Sequence, residues 1–483
     1  MRLNAALPSS TKPWPSGLSD TLQEMKIPPP QIVSGLSRRK FLRNTIGFVG
    51  ALGFPTIIPS SALGLDGKAP PSERIRIGVI GCGSRGSAAS QYTRGGLAEV
   101  VALADPDRKA TRKWADAFLK GRSVREYTDF RELLQCGVDA VHIATGDYWH
   151  VPIALLSARA GKHIYVEKPL AVSIEQCLAC REISAEHKVV VQYGTQNRSA
   201  VYVRSGVELL LNGHIGEIKE IYVFAPPGES GGSPVPVLPV PEDFDYNMWL
   251  GPAPEAPFSQ DRVLTKGKRN GIFHISDYAI GFMAGWGAHA YDQLQWWLDE
   301  MNHAMPENVE ATGTIPTEGL FNTVTQWDAT ITYPGLPKVR FADSKSIQKD
   351  LPVLDGLTPR EHGTLFVGSE GWLYFHRNGF DASSREILQK NKDPGPRRVI
   401  NAGATQQDNF VDAILGKNKV VSPLESAIRS DICCHLTNLA IRTGKPVGWD
   451  AKKNTITGNP EAVPLMRCPM REPWNVLNPK YSA

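Results

Sequence analysis

Little in this chain of 483 residues invites the simplest chemical readings. Its seven cysteines are odd in number and scattered, unlike the even, regularly spaced set of a disulfide scaffold. Cys177 and Cys180 make a formal C-x-x-C, but inside a helical pattern, SIEQCLACREISAEH, without the strand and turn of a thioredoxin-type site. Two packed thiols on one helical face are expected there. No Cys/His or His-x-x-x-His spacing indicates a metal, and no Gly-x-Ser-x-Gly or Walker pattern is present. After the first 64 residues no apolar run is long enough to span a bilayer. A one-signed charge excess is also missing. The formal net charge is +4, but residues 1–64 carry seven Lys/Arg against two Asp/Glu, leaving 46 against 47 for the remainder. The basic excess therefore sits at the front of the chain, and a nucleic-acid footprint is excluded.

That front segment has its own pattern. Ser37-Arg38-Arg39-Lys40-Phe41-Leu42-Arg43 matches a twin-arginine export signal, followed by a modest apolar stretch, Ile46 to Ile58. Ala62-Leu63-Gly64 then offers small residues for cleavage. Pro55, Pro59 and the short apolar length argue against a membrane span in the mature chain. Residues 1–64 read as a leader, and a periplasmic or otherwise exported protein is expected. At this length two domains follow the leader.

What is present in abundance is strand–helix alternation with glycine at its turns. Ile75 to Ile80 is a short apolar run of the kind covered on both faces in a parallel sheet. Gly81-Cys82-Gly83-Ser84-Arg85-Gly86 follows as a full G-x-G-x-x-G. Gly81 permits the tight turn, Gly83 admits a pyrophosphate close to the backbone, and Gly86 lets the next helix pack closely. Amides at that helix start, with Ser84 and Arg85, would face the phosphates. Val100 to Ala104 is a second buried-type strand ending in Asp105, 24 residues after Gly81. A carboxylate there accepts both ribose hydroxyls of an adenosine and repels a 2′-phosphate, so NAD is expected over NADP. Arg108 leaves NADP a lesser option.

Further strands are expected at Val138 to Ala144 and Lys162 to Val166. The loops after them, residues 145–150 and 167–169, lie at the carboxyl ends where such sheets bind ligands. A doubly wound parallel sheet over 73–196 is the reading. From 197 to 475 the texture changes. Residues 225–241 are too rich in Pro and Gly for a central strand, and alternating segments at 308–315, 323–333, 337–343, 363–368 and 371–376 lack intervening helices. The second domain is therefore α+β with an antiparallel or mixed sheet.

Gly81-x-Gly83-x-x-Gly86, Asp105, Ala144-Thr145-x-Asp147-x-Trp149-His150, Glu167-Lys168-Pro169 and Trp286-Gly287-Ala288-His289 together resemble the Gfo/Idh/MocA oxidoreductases. Val191 to Gln196, Trp249-Leu250-Gly251-Pro252-Ala253-Pro254 and Gly368-x-Glu370-Gly371-Trp372 resemble their exported, twin-arginine branch. The likeness spans roughly 73–475. It implies an N-terminal Rossmann domain and a second domain with a large, mainly antiparallel open sheet, commonly assembled as homodimers or homotetramers. It also implies tightly held NAD(P) and a sugar or polyol substrate. Thr145, Asp147, His150, Glu167 and Lys168 would join the glycines and Asp105 at the cofactor. Lys168 would lie beside nicotinamide and substrate, where an ammonium stabilises a developing alkoxide. His289 would be the acid/base, with Asp292 a further acid.

The chain departs from that pattern at three positions. Gly285 stands where the family has an aspartate, Gly146 where proline is usual, and Tyr148 where the branch often has histidine. Asp277, Tyr278, Tyr291 and Asp292 are the nearby groups able to stand in for the aspartate. Three functions compete: hydride transfer to or from a sugar or polyol, glycoside cleavage by transient redox and elimination, and a cofactor-binding protein without catalysis.

Overall fold

In the computed structural model the described residues are 70, 73–93, 96–263, 271–376 and 379–477, so the export-signal stretch lies outside them. Six strands form the first sheet: β1 (Ile75–Ile80), β2 (Ala98–Ala104), β3 (Arg125–Tyr127), β4 (Ala140–Ile143), β5 (His163–Val166) and β6 (Val191–Tyr193). They pair in parallel in the order β3-β2-β1-β4-β5-β6. The direction of winding reverses between β1 and β4, and that crevice is where a doubly wound sheet takes its ligand. Ile77 to Ile80, Ala140 to Ile143 and Ile164 to Val166 are all buried, as expected for strands covered by helices on both faces.

Local sequence explains where the elements start. Asp107 caps the helix Arg108–Leu119 by accepting from Lys109 N, and Ser173 caps Ile174–Ala179 through Gln176 N. Two expectations shift. The segment after the glycine turn is a 3₁₀ helix, Gly86–Thr93, not an α-helix. The loop expected over 145–150 is shorter, because the helix Asp147–Arg159 begins at Asp147 behind Gly146. Tyr148, Trp149 and His150 therefore occupy a first helical turn and are buried.

The second sheet has nine strands: β7 (Ile218–Ala225), β8 (Asn308–Thr314), β9 (Gln326–Thr332), β10 (Val339–Asp343), β11 (Gly363–Gly368), β12 (Trp372–His376), β13 (Gly379–Ala382), β14 (Val447–Asp450) and β15 (Thr455–Thr457). Their order is β13-β12-β11-β7-β10-β9-β8-β14-β15, antiparallel throughout except for the parallel pair β7–β10. The last three strands, unread in the sequence, are short. No helix among the described residues is long and apolar enough to cross a membrane.

Two helices pack against each other beside this sheet, Gly287–Glu300 and Leu424–Thr443. Thr364 on β11 donates to Ala290 O (2.6 Å) and Gln293 Oε1 (2.9 Å), fastening the strand to the first of them. Trp297 packs edge-on against Phe366 of β11, and Arg198 lies over the Trp296 ring. The second helix carries polar residues that are nonetheless buried, Asp431 and His435 among them, because it is covered on nearly every side.

An ion pair stitches these parts together. Arg198, just beyond the first sheet, meets both oxygens of Asp292 through Nε and Nη2, and both side chains are almost wholly buried. Asp299, one helical stretch on, adds contacts to Arg198 and to Arg429 of the long helix. Burying such a pair is costly, but removing one partner leaves the other charge stranded. Asp292→Ala is therefore expected to cost about 3–5 kcal/mol in urea unfolding, whereas an apolar replacement of both residues with Arg198→Met and Asp292→Leu costs much less.

Candidate active site

Each glycine of the turn has a measurable reason. Gly81 has φ +89°, and a Cβ on it would stand 2.5 Å from Ala144 O. A Cβ on Gly86 would stand 2.1 Å from Gly81 O, so the turn folds onto itself there. A Cβ on Gly83 would meet nothing within 4 Å. The middle glycine is thus not demanded by packing; it leaves bare backbone facing an open cleft, as a phosphate cradle requires. Asp105 holds the turn from β2: its carboxylate accepts from Cys82 N (2.7 Å) and Asp107 N (2.9 Å). Burial pushes its pKa up to about 6, against those two amides, which favour the charged form. These residues fit a dinucleotide: open backbone for the pyrophosphate and a carboxylate at the adjoining strand end.

The cleft divides into two cavities. The first, about 180 Å³, is lined by Gly81, Gly83, Asp105, Thr145, Tyr148 and Trp249, among others. Its shape explains two of the departures together. A Cβ on Gly146 would stand 2.6 Å from the Tyr148 ring. The tyrosine therefore fills the place a larger residue at 146 would need. Its hydroxyl donates to Trp249 O (2.5 Å), and Trp149 Nε1 donates to Met248 O (3.1 Å). The helix Asp147–Arg159 thus clasps the segment Met248–Gly251 over this cavity.

The second cavity, about 430 Å³, is lined by Arg85, Lys168, Trp286, His289, Glu361 and His362, with Ser84, Gln196, Asn197 and Phe273 among their neighbours. Lys168 donates through Nζ to the carbonyl oxygen of Gly285 (2.6 Å), at the position of the missing aspartate. Gly285 itself is unconstrained: its φ is not left-handed, and a Cβ would meet only Phe282 at 3.8 Å. His289 lies in the first turn of Gly287–Glu300, its Nδ1 3.5 Å from Thr195 Oγ1.

Behind these linings stands a buried polar layer. Glu167 accepts from Arg85 Nη2 (3.1 Å) and Gln196 Nε2 (3.2 Å). Burial raises its pKa, and Arg85 and Lys168 oppose that rise. His150 Nδ1 lies 2.6 Å from Pro169 O; burial holds the ring near pKa 4, so it is neutral and donates there. Asp431 of the long helix accepts from Ala171 N (2.9 Å) and from Cys177 Sγ (3.4 Å), with His435 Nε2 3.6 Å away. This Cys–Asp–His group brings ligand-type atoms within 4.8 Å of one another, a juxtaposition no spacing in the sequence disclosed. Its hydrogen bonds tie the segment after Lys168 to the long helix.

Eight of the expected residues line the two cavities. Gly81, Gly83, Asp105 and Thr145 reach the first cavity, and Ser84, Arg85, Lys168 and His289 the second. Asp147, His150 and Glu167, expected at the cofactor, lie behind the walls, the first two because the helix starts earlier and turns them inward. Gly86 acts within the turn. Asp292, expected as a further acid, is turned away into the Arg198 pair. Of the other stand-ins, Tyr278 accepts from Arg262 and Tyr291 bonds Tyr333; neither they nor Asp277 line the cavity. The titratable groups that do line it and were missed are Glu361 and His362, at the foot of β11. The strand was legible, but its neighbour across the cleft was not.

Residues 75–195 match the model described as oxidoreductase family, NAD-binding Rossmann fold. Residues 222–476 match the same family's C-terminal alpha/beta domain. The chain belongs to the Gfo/Idh/MocA oxidoreductase family. An alpha-N-acetylgalactosaminidase of Shewanella oneidensis is 34% identical over 128 residues, which is 25% of this chain and 28% of that relative. The chain thus aligns with well under two thirds of that protein. The WlbA dehydrogenase of Bordetella pertussis, solved with NADH and UDP-GlcNAcA, shares the fold with a TM-score of 0.56 at 16% identity, over 78% of this chain and 99% of that one. The apo scyllo-inositol dehydrogenase of Lactobacillus casei does so at 0.51 and 17%, over 78% and 98%.

Two predictions follow from the site. Gly83→Ala should melt close to the unsubstituted protein yet lose at least tenfold in NAD affinity by calorimetry, whereas Gly86→Ala should lower the melting temperature itself. Asp147, in the polar layer, has a pKa pushed up to about 8 by burial; Lys168 opposes that shift and Asp431 adds to it. A carboxyl whose folded pKa is raised contributes stability below its unfolded value near 4, lost as pH rises through about 8. The urea midpoint should fall between pH 5 and pH 8, and Asp147→Asn should flatten that fall.

Proposed function

We propose that this chain is an exported, NAD-dependent oxidoreductase that moves a hydride between a tightly held nicotinamide and a carbon bearing a hydroxyl on a sugar or polyol. The observation that carries this is the second cavity. It sets an ammonium, Lys168, and an imidazole, His289, at the carboxyl end of the parallel sheet beside the glycine turn. Bound nicotinamide supplies the hydride acceptor or donor. Lys168 holds the reacting oxygen and stabilises its negative charge, and His289 takes or returns the hydroxyl proton. Phe273, Phe282 and Trp286 offer flat apolar faces for a sugar ring. The Asp105 carboxylate favours NAD over the 2′-phosphate of NADP. Export through the twin-arginine route, which carries folded proteins, would let the chain leave with its cofactor loaded. A homodimer or homotetramer is part of the same reading.

A second reading, glycoside cleavage with the cofactor reduced and reoxidised in one turnover, is favoured by the local likeness to the galactosaminidase. The readings separate in one experiment. Mature protein is purified, its nucleotide extracted, and a panel of polyols, sugars and nitrophenyl glycosides followed for both NADH absorbance and phenolate release. Net NADH formation is expected; phenolate release without it would overturn the dehydrogenase in favour of the glycosidase. Lys168→Ala should lose about 100-fold or more in turnover. Absence of turnover by the unsubstituted, NAD-loaded protein across the panel would mark a binding protein instead.

A further inference from the structure

The second cavity contains two imidazoles where hydroxyl oxidation needs one. His289 enters from the helix Gly287–Glu300, and His362 from the segment immediately before β11. One indole touches both. Trp286 makes an edge contact with each ring, at centroid separations of 6.4 Å to His289 and 5.4 Å to His362. His362 is only 5% exposed, so its place is set by packing rather than by solvent.

Several features fix that place. A Cβ on Gly363 would stand 2.3 Å from Phe375 O and 2.4 Å from the Tyr374 ring, so only glycine lets the chain enter β11 this close to β12. Tyr374 donates its hydroxyl to His362 O (3.2 Å). Thr364 bolts β11 to Ala290 and Gln293, the turn that follows His289. The strand bearing one imidazole and the helix bearing the other are thus held in fixed relation, as paired proton carriers require. Gly285 leaves the adjoining wall open, since it contributes no side chain there.

We propose that His362 is a second catalytic residue, a base for the carbon–hydrogen bond adjacent to the carbonyl of the oxidised substrate. This rests on the sugar or polyol reading above. Lys168 and His289 hold the carbonyl oxygen; His362 takes the proton from the neighbouring carbon. The electron pair of the broken C–H bond forms the C=C bond, and the carbonyl π pair moves to oxygen, which His289 protonates to give the enol. Reversal returns the proton from His362. The step needs no oxidant, and imidazole suits it because its ordinary pKa lies near neutrality.

The test uses a cyclic keto-polyol, 2-keto-myo-inositol, with the NAD⁺-loaded protein in D₂O, where no hydride is available for reduction. Deuterium entry beside the carbonyl is followed by NMR. Parallel samples with NADH measure reduction of the same compound, and NAD affinity and melting temperature report folding. Exchange catalysed by the unsubstituted protein should fall about 100-fold or more in both His362→Gln and His362→Asn, by a larger factor than reduction falls. Exchange persisting at its full rate in either folded variant would overturn the proposal. Reduction without exchange in the unsubstituted protein would overturn it while leaving the oxidoreductase reading intact. Neither reduction nor exchange would overturn the proposal and count against a keto-polyol substrate as well.

Discussion

Lys168 donates to the carbonyl oxygen of Gly285, 117 residues along the chain, and the bond joins the end of the parallel sheet to the segment that leads into the His289 helix. A flexible ammonium is useful to a reaction only where its backbone cannot drift. The backbone around Lys168 is secured from several directions. Glu167 before it is tied to Arg85 and Gln196, the Pro169 carbonyl after it accepts from His150 Nδ1, and Ala171 donates to Asp431 of a helix late in the chain. Most of these groups are buried, and two of them, His150 and Glu167, have displaced pKa values without lining either cavity. Perturbed titration here marks the scaffold of a site as much as its chemistry.

The parallel half of the fold was highly legible. Apolar runs ending in Gly81, Asp105, Thr145 and Glu167 place the strand ends, and the G-x-G-x-x-G spacing names the crevice between β1 and β4. These signals are local, each contained in a few residues. The second cavity resisted because its parts are distant. Lys168, His289 and His362 come from three elements, and nothing in the alternation of residues 363–368 says which strand or helix lies opposite. The groups close in sequence to Gly285 that could replace the acid include Tyr278, Tyr291 and Asp292, and these three are committed to other partners.

The departures from the family pattern are not equivalent. Gly146 and Tyr148 are one packing event: the ring occupies the space that a side chain at 146 would take, and its hydroxyl closes onto Trp249. Changing either alone would leave the other without its reason. They reshape the first cavity and do not reach the group of Lys168 and His289. The third departure, Gly285, is independent of them, and it removes a functional group without introducing a strained turn or a close contact.

That independence has an evolutionary side. Glycine and aspartate codons can differ in a single base, and the backbone at 285, with no left-handed φ and only Phe282 within 4 Å of a Cβ, would accept a Cβ without a clash. Where the glycine codon ends in a pyrimidine, a single base change would supply the aspartate of the family pattern. Persistence of glycine at such an easily reversed position would mark it as the object of selection, and a survey of close descendants would read that history from one codon.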